Sequence, residues 1–292
     1  MAHLLSAGEA FEDLVFVGLE RLPGIGEEIR TEKFSATIGG GAVITAVAAA
    51  RLGLRVSLAS GLSDPAAARL RAEGVKVTNL RKPGEPHAVT VALSTDGERA
   101  FVTFDGVNVR LEPRLGRVLR STRARHVHLA LYPRDTGAWT RRVATLRRRK
   151  ITASWDFGWN DVLAGDGGLP ALIDALDIVF VNEREAALYA GARDLEAALP
   201  FWRARRPVVV IKLGPEGSRI VGGGRVECAA SAPRTVPVDT TGAGDAFNGG
   251  FLAAWLGGAA LSRCLAAGNR MGAASTRKPG GIESLPRRRA RS

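Results

Sequence analysis

Short apolar runs rich in β-branched residues alternate along this chain with longer stretches in which apolar residues recur at helical spacing. Strands that are apolar along their whole length are typical of a parallel sheet buried between layers of helices. The alternation therefore predicts a doubly wound α/β core with a mostly parallel sheet. The strands that we predict are residues 4–8, 56–60, 126–131, 151–155, 177–181 and 207–213.

Two segments depart from this alternation. Residues 10–38 carry short, irregular strand-like runs around Pro23, and residues 87–104 alternate between apolar and polar positions around Asp96-Gly97. An Asp-Gly pair between two alternating runs is a strong signal for a tight β-hairpin. Because such strands cannot join a parallel sheet, we predict that both segments form a small β-sheet over one edge of the core, as a lid.

The composition indicates one large domain. The 292 residues are 46% hydrophobic and 24% charged, enough to bury a sizeable core. We assign residues 1–286 to this domain and residues 287–292 to a basic tail. No run of eighteen apolar residues occurs, and the first residues lack the pattern of a signal peptide. The two cysteines show no metal-binding or disulfide spacing, so we expect a cytoplasmic protein without a membrane partner.

The chain is strongly basic, with 41 lysine and arginine residues against 29 aspartate and glutamate residues. The excess lies mostly on predicted helices and in the tail, without interleaved aromatics or a recognisable nucleic-acid motif. We interpret it as a solvated surface and expect no nucleic-acid partner, although a positive field attracts anionic substrates such as nucleotides. One helix alone carries Arg141, Arg142, Arg147, Arg148 and Arg149.

The stretch VDTTGAGDAFNGGF, residues 238–251, begins like a strand and continues as an amphipathic helix. Ligands of open α/β sheets bind where strands end and helices begin. Gly242 and Gly244 let a ligand approach the main chain closely. The amides from Gly242 to Asp245 would point outward at the positive end of the helix dipole, so we predict an anion hole there.

Asp245 lies in the first turn of this predicted helix. A lone aspartate at such a position usually acts only as a capping carboxylate. Beside an anion hole, a carboxylate can instead accept the proton of an attacking hydroxyl while the amides stabilise a transferring phosphoryl group. Neither the Walker A motif nor the Rossmann glycine motif is present in the sequence, which disfavours a P-loop or dinucleotide site.

Several stretches, in this order, resemble the carbohydrate kinases of the PfkB or ribokinase type, and the resemblance covers nearly the whole chain. They are GEAFEDLV, IGGGAVITAVAAARLG, VNEREAALYAG, VVVIKLGPEGS, DTTGAGDAFNGGF and GGIESLP. The resemblance implies a three-layer α/β, ribokinase-like fold with a β-sheet lid that closes over the sugar. It also implies ATP-dependent phosphorylation of a primary hydroxyl, with Mg²⁺.

By this resemblance, Asp245 matches the catalytic base of the family. The amides of Gly242, Ala243 and Gly244 match its anion hole. Asp239 and Thr241 match positions that in ribokinase-like members help to bind a monovalent cation such as K⁺ beside that hole.

Asn182 and Glu185 match the Asn-x-x-Glu motif of the family, which acts on phosphate and, through water, on Mg²⁺. This role is chemically sensible because Mg²⁺ prefers oxygen ligands and keeps much of its hydration. The structural alternative is a capping box, with Asn182 as the N-cap and Glu185 at the third helical position.

The segment KLGPEG, residues 212–217, matches one wall of the nucleotide site. Lys212 would reach a phosphate there, while Gly214 and Gly217 would shape the turn; a solvated lysine at a strand end is the alternative for Lys212. Asn269 matches the region that flanks adenine and ribose.

For the acceptor, Asp13 matches the aspartate that hydrogen-bonds sugar hydroxyls, and the turn Gly39-Gly40-Gly41 matches the glycine turn beneath the sugar. Where the family commonly has asparagine, this chain has Ile44, which cannot hydrogen-bond a hydroxyl. Either the acceptor has an apolar feature there or another residue supplies the contact. Ordinary ribose specificity is therefore not expected.

The lid carries two phenylalanines, Phe101 and Phe104, which we place on one strand face with Ala100 and Thr103 on the other. Such residues most often pack a lid against its core. The resemblance adds that a residue near this position touches the substrate, and we assign this contact to Phe101.

Three functions stay open from the sequence. They are a sugar kinase, a nucleoside kinase of the same fold, and a non-catalytic sensor of sugars or nucleotides. An intact Asp245 beside Gly-Ala-Gly disfavours the sensor, while Ile44 and the lid phenylalanines favour a nucleoside. Members of the family are often dimers through the lid, so the resemblance also implies a homodimer.

Overall fold

The computed structural model describes residues 3–95, 99–224, 227–278 and 280–286. Its strands are β1 (His3–Gly8), β2 (Phe11–Val17), β3 (Lys33–Gly39), β4 (Arg55–Ser60), β5 (Lys76–Asn79), β6 (Val89–Ser94), β7 (Arg99–Phe104), β8 (His126–Ala130), β9 (Thr152–Asp156), β10 (Ile178–Asn182), β11 (Val208–Lys212), β12 (Ser218–Gly222) and β13 (Cys228–Ala230). Its helices are α1 (Gly41–Arg51), α2 (Asp64–Ala72), α3 (Leu111–Ser121), α4 (Thr136–Arg148), α5 (Asp161–Ala164), α6 (Leu169–Ala175), α7 (Glu183–Tyr189), α8 (Leu195–Arg203), α9 (Ala243–Leu256) and α10 (Leu261–Ser275).

The core is a large sheet with the strand order β13-β12-β11-β10-β9-β8-β1-β4-β5. The seven neighbouring strands β11, β10, β9, β8, β1, β4 and β5 are all parallel. The β11-β12 and β12-β13 pairs are antiparallel. All six strands predicted from the apolar runs are present as β1, β4, β8, β9, β10 and β11. Their parallel pairing brings their carboxyl ends to one edge of the sheet, where ligands bind in open α/β sheets.

Helices cover both faces of this sheet, which confirms the three-layer α/β fold. Successive residues of a strand point to opposite faces, so Ile178 and Phe180 of β10 pack in the cluster formed with α1, α2, α9 and α10. Val179 and Val181 pack in the second cluster, formed with α3, α4, α6, α7 and α8. On the first face, Phe251 of α9 meets the Phe180 ring edge-on at a centroid distance of 5.4 Å.

The two irregular segments form the predicted small sheet, with the order β3-β2-β6-β7. The β2-β3 and β6-β7 pairs are antiparallel and the β2-β6 pair is parallel. The turn predicted at Asp96-Gly97 lies outside the described residues, as does the basic tail at 287–292.

The expectation that Phe101 and Phe104 share one face of the lid is wrong. Residues three positions apart on a strand point to opposite faces, and the register pairs Phe101 with Ala92 and Phe104 with Val89. Phe101 lines the cavity beneath the lid. Phe104 lies on the outer face, where 56% of its surface is exposed.

Within the described ranges, no helix is long and apolar enough to cross a membrane.

Candidate active site

The first turn of α9 has the geometry of an anion hole. Gly242 caps the helix at φ 73°, a left-handed conformation that favours glycine. The amides of Gly242, Gly244 and Asp245 donate to no group in the described part of the chain. The prediction that every amide of this turn is free is wrong for Ala243, because its amide donates to the Thr240 carbonyl at 3.2 Å.

The glycine turn between β3 and α1 lies against this helix start. Gly40 caps α1 at φ 97°. A Cβ at Gly39 would lie 1.9 Å from Oδ2 of Asp13, and a Cβ at Gly41 would lie 2.8 Å from Oδ1 of Asp245. Only glycines at these positions let both carboxylates approach the turn, so the predicted acceptor residues and the predicted base do converge.

Helices α1 and α9 are held together closely enough to fix this arrangement. The Thr45 hydroxyl donates to the Asp245 carbonyl at 3.0 Å. A Cβ at Gly249 would lie 2.5 Å from that of Ala48, so the glycine permits near contact of the two helices.

Ile44 lies beside the anion hole. Its Cδ1 atom is 2.4 Å from where a Cβ at Gly242 or at Gly281 would stand. The side chain is 3% exposed and contributes to the wall of the same cavity as Asp13 and Asp245. It therefore presents an apolar surface between the two glycines.

A cavity of about 670 Å³ opens between the lid and the first turn of α9. Asp239 and Asp245 contribute carboxylates at its α9 end, and Asp13 contributes one from the lid. The lid also contributes apolar side chains, with Val15, Ala92 and Phe101 paired in register across its inner face. The described lining of the cavity contains no lysine or arginine. The lining is Asp13, Val15, Val17, Thr37, Gly40, Ile44, Thr90, Ala92, Ser94, Thr95, Phe101, Val238, Asp239, Thr240, Thr241, Gly242, Asp245, Gly280 and Gly281.

A second cavity, of about 500 Å³, adjoins the other side of the same turn. Lys212, Gly214, Gly217 and Asn269, which the sequence assigned to the nucleotide, all line it. The Asn269 amide nitrogen donates to the carbonyls of Ala230 and Ser231, at 2.8 and 3.2 Å. Asn269 therefore shapes this wall by holding the segment after β13.

Lys212 is neither solvated nor free to move. Its ammonium donates to Oδ2 of Asp156 at 2.6 Å, and the Asn248 amide donates to the same oxygen at 2.7 Å. The ammonium lies 3.0 Å from where a Cβ at Gly244 would stand. A fixed positive charge thus lies directly behind the anion hole, and the alternative of a solvated lysine is wrong.

The Asp156–Lys212 pair keeps both groups charged despite burial. Burial disfavours the ionised Asp156 carboxylate, but the charge and hydrogen bond of Lys212, together with the Asn248 hydrogen bond, lower the pKa of Asp156. Burial likewise disfavours the charged lysine, and the surrounding carboxylates, Asp156 first, raise the pKa of Lys212.

The carboxyl groups that face the cavities behave differently. Burial, reinforced by the Asp156 carboxylate and opposed by Lys212, raises the pKa of Asp245 to about 7. Burial and the nearby Asp239 carboxylate raise the pKa of Asp13 to about 7. Both carboxyl groups therefore change their charge near neutral pH.

Asn182 and Glu185 form the capping box at the start of α7. The Asn182 side chain accepts the Glu185 amide at 2.9 Å, and Oε2 of Glu185 accepts the Asn182 amide at 2.8 Å. Burial raises the pKa of Glu185. Asn182 pairs in register with Lys212 on the neighbouring strand, so the motif lies next to the Asp156–Lys212 pair, and one carboxylate oxygen of Glu185 remains outside the capping box.

The residues assigned to a monovalent cation join two loops. Oδ1 of Asp239 accepts the Thr241 amide at 2.9 Å, and Oδ2 accepts the Gly280 amide at 3.0 Å. Residues 3–95, 99–224, 227–278 and 280–286 contain no group of three or more His, Cys, Asp or Glu side chains suited to a metal ion. A metal here would need further oxygen ligands from the main chain, water or a bound phosphate.

Asp156 and Asn248 are the site residues that sequence reasoning missed. Asp156 ends β9 at the same edge where Asn182 and Lys212 end their strands, and Asn248 follows Asp245 by three positions on α9. The position of Asp156 at a strand end and the spacing of Asn248 from Asp245 could have identified both residues. His126 and His128 are fully buried in β8, and each hydrogen-bonds the Ser154 hydroxyl of β9.

Comparison with known proteins agrees with this geometry. The family model described as pfkB family carbohydrate kinase matches residues 1–288. The chain therefore belongs to the pfkB family of carbohydrate kinases, and it is a kinase.

One relative and two solved structures illustrate the similarity. Over 291 residues the chain is 31% identical to an ATP-dependent ribose-1-phosphate kinase of Halopiger xanaduensis, covering 96% of this chain and 94% of that protein. The structure of Arabidopsis thaliana ribokinase complexed with ribose and ATP is similar with a TM-score of 0.79 at 24% identity, over 98% and 96% of the two chains. A Burkholderia thailandensis nucleoside kinase in complex with inosine gives a TM-score of 0.80 at 20% identity, over 98% and 95%.

Proposed function

We propose that this protein transfers the γ-phosphoryl group of ATP to a primary hydroxyl of a neutral sugar or sugar-like molecule. One observation carries the proposal: the first turn of α9 is the wall between the two cavities. Ala243 and Gly244 line the cavity that contains Lys212, while Gly242 and Asp245 line the cavity under the lid. A nucleotide and an acceptor in these cavities would meet at this turn.

The mechanism follows from the positions of these groups. Asp13 and the Gly39–Gly41 turn hold the acceptor, and Asp245 accepts the proton of its hydroxyl. The oxygen then forms the new P–O bond while the bond from the γ-phosphorus to the β,γ-bridging oxygen breaks and ADP leaves. The amides of Gly242 and Gly244, backed by the Lys212 ammonium, stabilise the charge on the transferring group.

The residues present suit Mg²⁺ and a monovalent cation. Glu185 has one carboxylate oxygen outside the capping box and would hold Mg²⁺ through water, with the nucleotide phosphates as its other ligands. Bound Mg²⁺ supplies positive charge to the phosphates. Asp239 and Thr241 would contribute to a K⁺ site beside the anion hole.

A nucleoside acceptor is the second candidate, because a row of apolar side chains crosses the inner face of the lid. Val15, Ala92 and Phe101 come from the inner face of the lid, and Ile44 lies near α9. A flat base fits against such a wall, and a ring such as that of Phe101 can stack on it. The similar fold of a nucleoside kinase solved with inosine supports the same candidate.

An acceptor panel tests the proposal. We expect ATP-dependent ADP formation with at least one neutral sugar or nucleoside, and little with ribose 1-phosphate. The reason is electrostatic: the described walls of the acceptor cavity carry three carboxylates, Asp13, Asp239 and Asp245, and no basic side chain. Turnover with ribose 1-phosphate alone would contradict the assignment of a neutral acceptor.

Acid should inactivate the enzyme through Asp245. Because the base must be ionised, kcat/KM should fall about tenfold per pH unit below about pH 7 and level off above it. Asp13 can hydrogen-bond a hydroxyl whether or not its own carboxyl group is protonated. Asp13→Asn should therefore lower kcat/KM but keep its fall at acidic pH. A kcat/KM that stays flat from about pH 5 to 8 would contradict the role of Asp245.

We also propose that two copies pair through the outer faces of their lids. Phe34, Val102 and Phe104 lie on this face with 56%, 70% and 56% of their surfaces exposed, which forms an apolar patch of the kind that marks an interface. Phe104→Asp should shift the mass in sedimentation equilibrium from dimer towards monomer. Val162→Asp, at an equally apolar exposed position on α5, should not. A monomeric wild-type protein would contradict this pairing.

A further inference from the structure

A groove lined by arginines lies on the other face of the sheet from the proposed catalytic turn. Helices α3 and α4 border a groove of about 360 Å³ on the face of the sheet opposite α9. Its lining consists of Gly116, Leu119, Arg120, Ala138, Arg141, Arg142, Thr145 and Leu146. Three of these residues are arginines, and none is acidic.

The arginines converge on the floor of this groove. A Cβ at Gly116 would lie 3.3 Å from Nε of Arg142 and 3.9 Å from a terminal nitrogen of Arg120. Two guanidinium groups therefore approach the same point, which glycine leaves open. Like charges at such spacing repel unless an anion lies between or beside them.

Arg142 is fixed in this position. Its guanidinium carbon lies 4.7 Å from the centre of the Trp139 ring, which is fully buried. One of its terminal nitrogens, Nη1, is buried and has no hydrogen-bond partner in the described part of the chain. Buried donors are almost always paired in native proteins. Arg205 and Arg219 also have buried nitrogens without a hydrogen-bond partner, but each of them binds a carboxylate, whereas Arg142 binds none among the described residues. Its guanidinium group therefore has no anionic partner there.

Among the described residues, the other arginines with buried or half-buried side chains form ion pairs. Arg51 binds Glu73 at 2.8 Å and Arg114 binds Glu85 at 2.5 Å. In contrast, no carboxylate of the described residues lies within 4.0 Å of the guanidinium nitrogens of Arg120, Arg141 or Arg142. The groove thus concentrates positive charge without an internal partner.

We propose that this groove binds the phosphate groups of a small, multiply charged anion. Guanidinium groups bind phosphate through paired N–H donors, and the exposed arginines around the groove attract an anion. The groove is short and its lining has no aromatic residue on which a base could stack, which favours a compact phosphate compound over a nucleic acid strand. The exposed arginines nearby are Arg117, Arg123, Arg147 and Arg148.

Calorimetric titration with inorganic tripolyphosphate at low ionic strength tests the proposal. We expect Arg120→Gln/Arg141→Gln to weaken binding in the groove at least about tenfold, since each removed guanidinium contributes a charge-assisted hydrogen bond. The matched control, Arg147→Gln/Arg148→Gln, removes two positive charges from α4 outside the groove. It lowers only the attracting field and should therefore weaken binding by a smaller factor, about threefold at most. Both double variants change exposed side chains and leave the nucleotide cavity intact. Tripolyphosphate that binds in that cavity therefore contributes equally to both titrations.

Arg142→Gln tests the deepest arginine, with its fold checked by circular dichroism. It should weaken tripolyphosphate binding like the double variant while kcat of the kinase stays unchanged. Equal losses in the double variant and its control would overturn the proposal in favour of a diffuse field, as would the absence of a binding event that depends on Arg120 and Arg141. Tighter binding of a single-stranded oligonucleotide, reduced equally by both double variants, would overturn it in favour of an extended nucleic-acid surface.

Discussion

Asp245→Asn should lower kcat by about a thousandfold, the scale expected for loss of a general base. This corresponds to about 4 kcal/mol of transition-state stabilisation. The amide keeps the shape of the carboxylate but cannot accept the hydroxyl proton at neutral pH. The nucleotide cavity is lined by Ala243, Gly244 and Lys212 rather than by Asp245, so binding of ATP should change little. Steady-state kinetics with saturating acceptor, and nucleotide titration by fluorescence or calorimetry, measure the two effects.

Asp194→Asn is the matched control for this variant. Asp194 caps α8 by accepting the Ala197 amide at 2.8 Å, so it has the purely structural role that Asp245 would have if it only stabilised the start of α9. The control should leave kcat unchanged. A near-normal rate for Asp245→Asn would remove Asp245 from the mechanism.

Lys212→Met should destabilise the protein by about 3–5 kcal/mol, because it leaves the buried Asp156 carboxylate without its cation. Asp156 is 8% exposed, and its ammonium partner lies at 2.6 Å. Changing both residues, as Lys212→Met/Asp156→Asn, removes both charges and should restore part of the loss. The free energy of unfolding from urea denaturation measures each variant, and a double-mutant cycle isolates the coupling of the pair.

The control for the buried Asp156–Lys212 pair is an ion pair at the surface. Arg203 binds Glu227 with both side chains well exposed, so Arg203→Met should leave the unfolding midpoint nearly unchanged, because solvent screens such pairs. If Lys212→Met were as mild as Arg203→Met, the Asp156–Lys212 pair could not be the fixed charge behind the anion hole.

The sequence predicted the strands of the core correctly because each of them is a local run of apolar residues. β10 and β11 are runs of β-branched and aromatic residues that no exposed element would carry, and the helix start at Gly242 is marked by its glycines. The outward position of Phe104 also follows from a local rule, because side chains alternate between the two faces of a strand. The expectation that Phe104 shares a face with Phe101, three positions away, misapplied this rule.

The charge network of the site could not be predicted in this way. The Asn248–Asp156 hydrogen bond joins residues 92 positions apart, and the Lys212–Asp156 bond joins residues 56 positions apart. Which polar side chains meet depends on strand order, since β9 and β11 are both neighbours of β10. The hydrogen bond from the Ala243 amide to Thr240 depends on backbone turns that a glycine-rich sequence leaves undetermined.

A structure of the protein with ADP, Mg²⁺, a neutral acceptor and aluminium fluoride, which mimics the transferring phosphoryl group, would show whether transfer takes place at the first turn of α9. We predict the mimic within hydrogen-bond distance of the Gly242 and Gly244 amides, with the acceptor hydroxyl between it and the Asp245 carboxylate. A mimic bound elsewhere, or an Asp245 side chain turned away from the hydroxyl, would contradict this prediction.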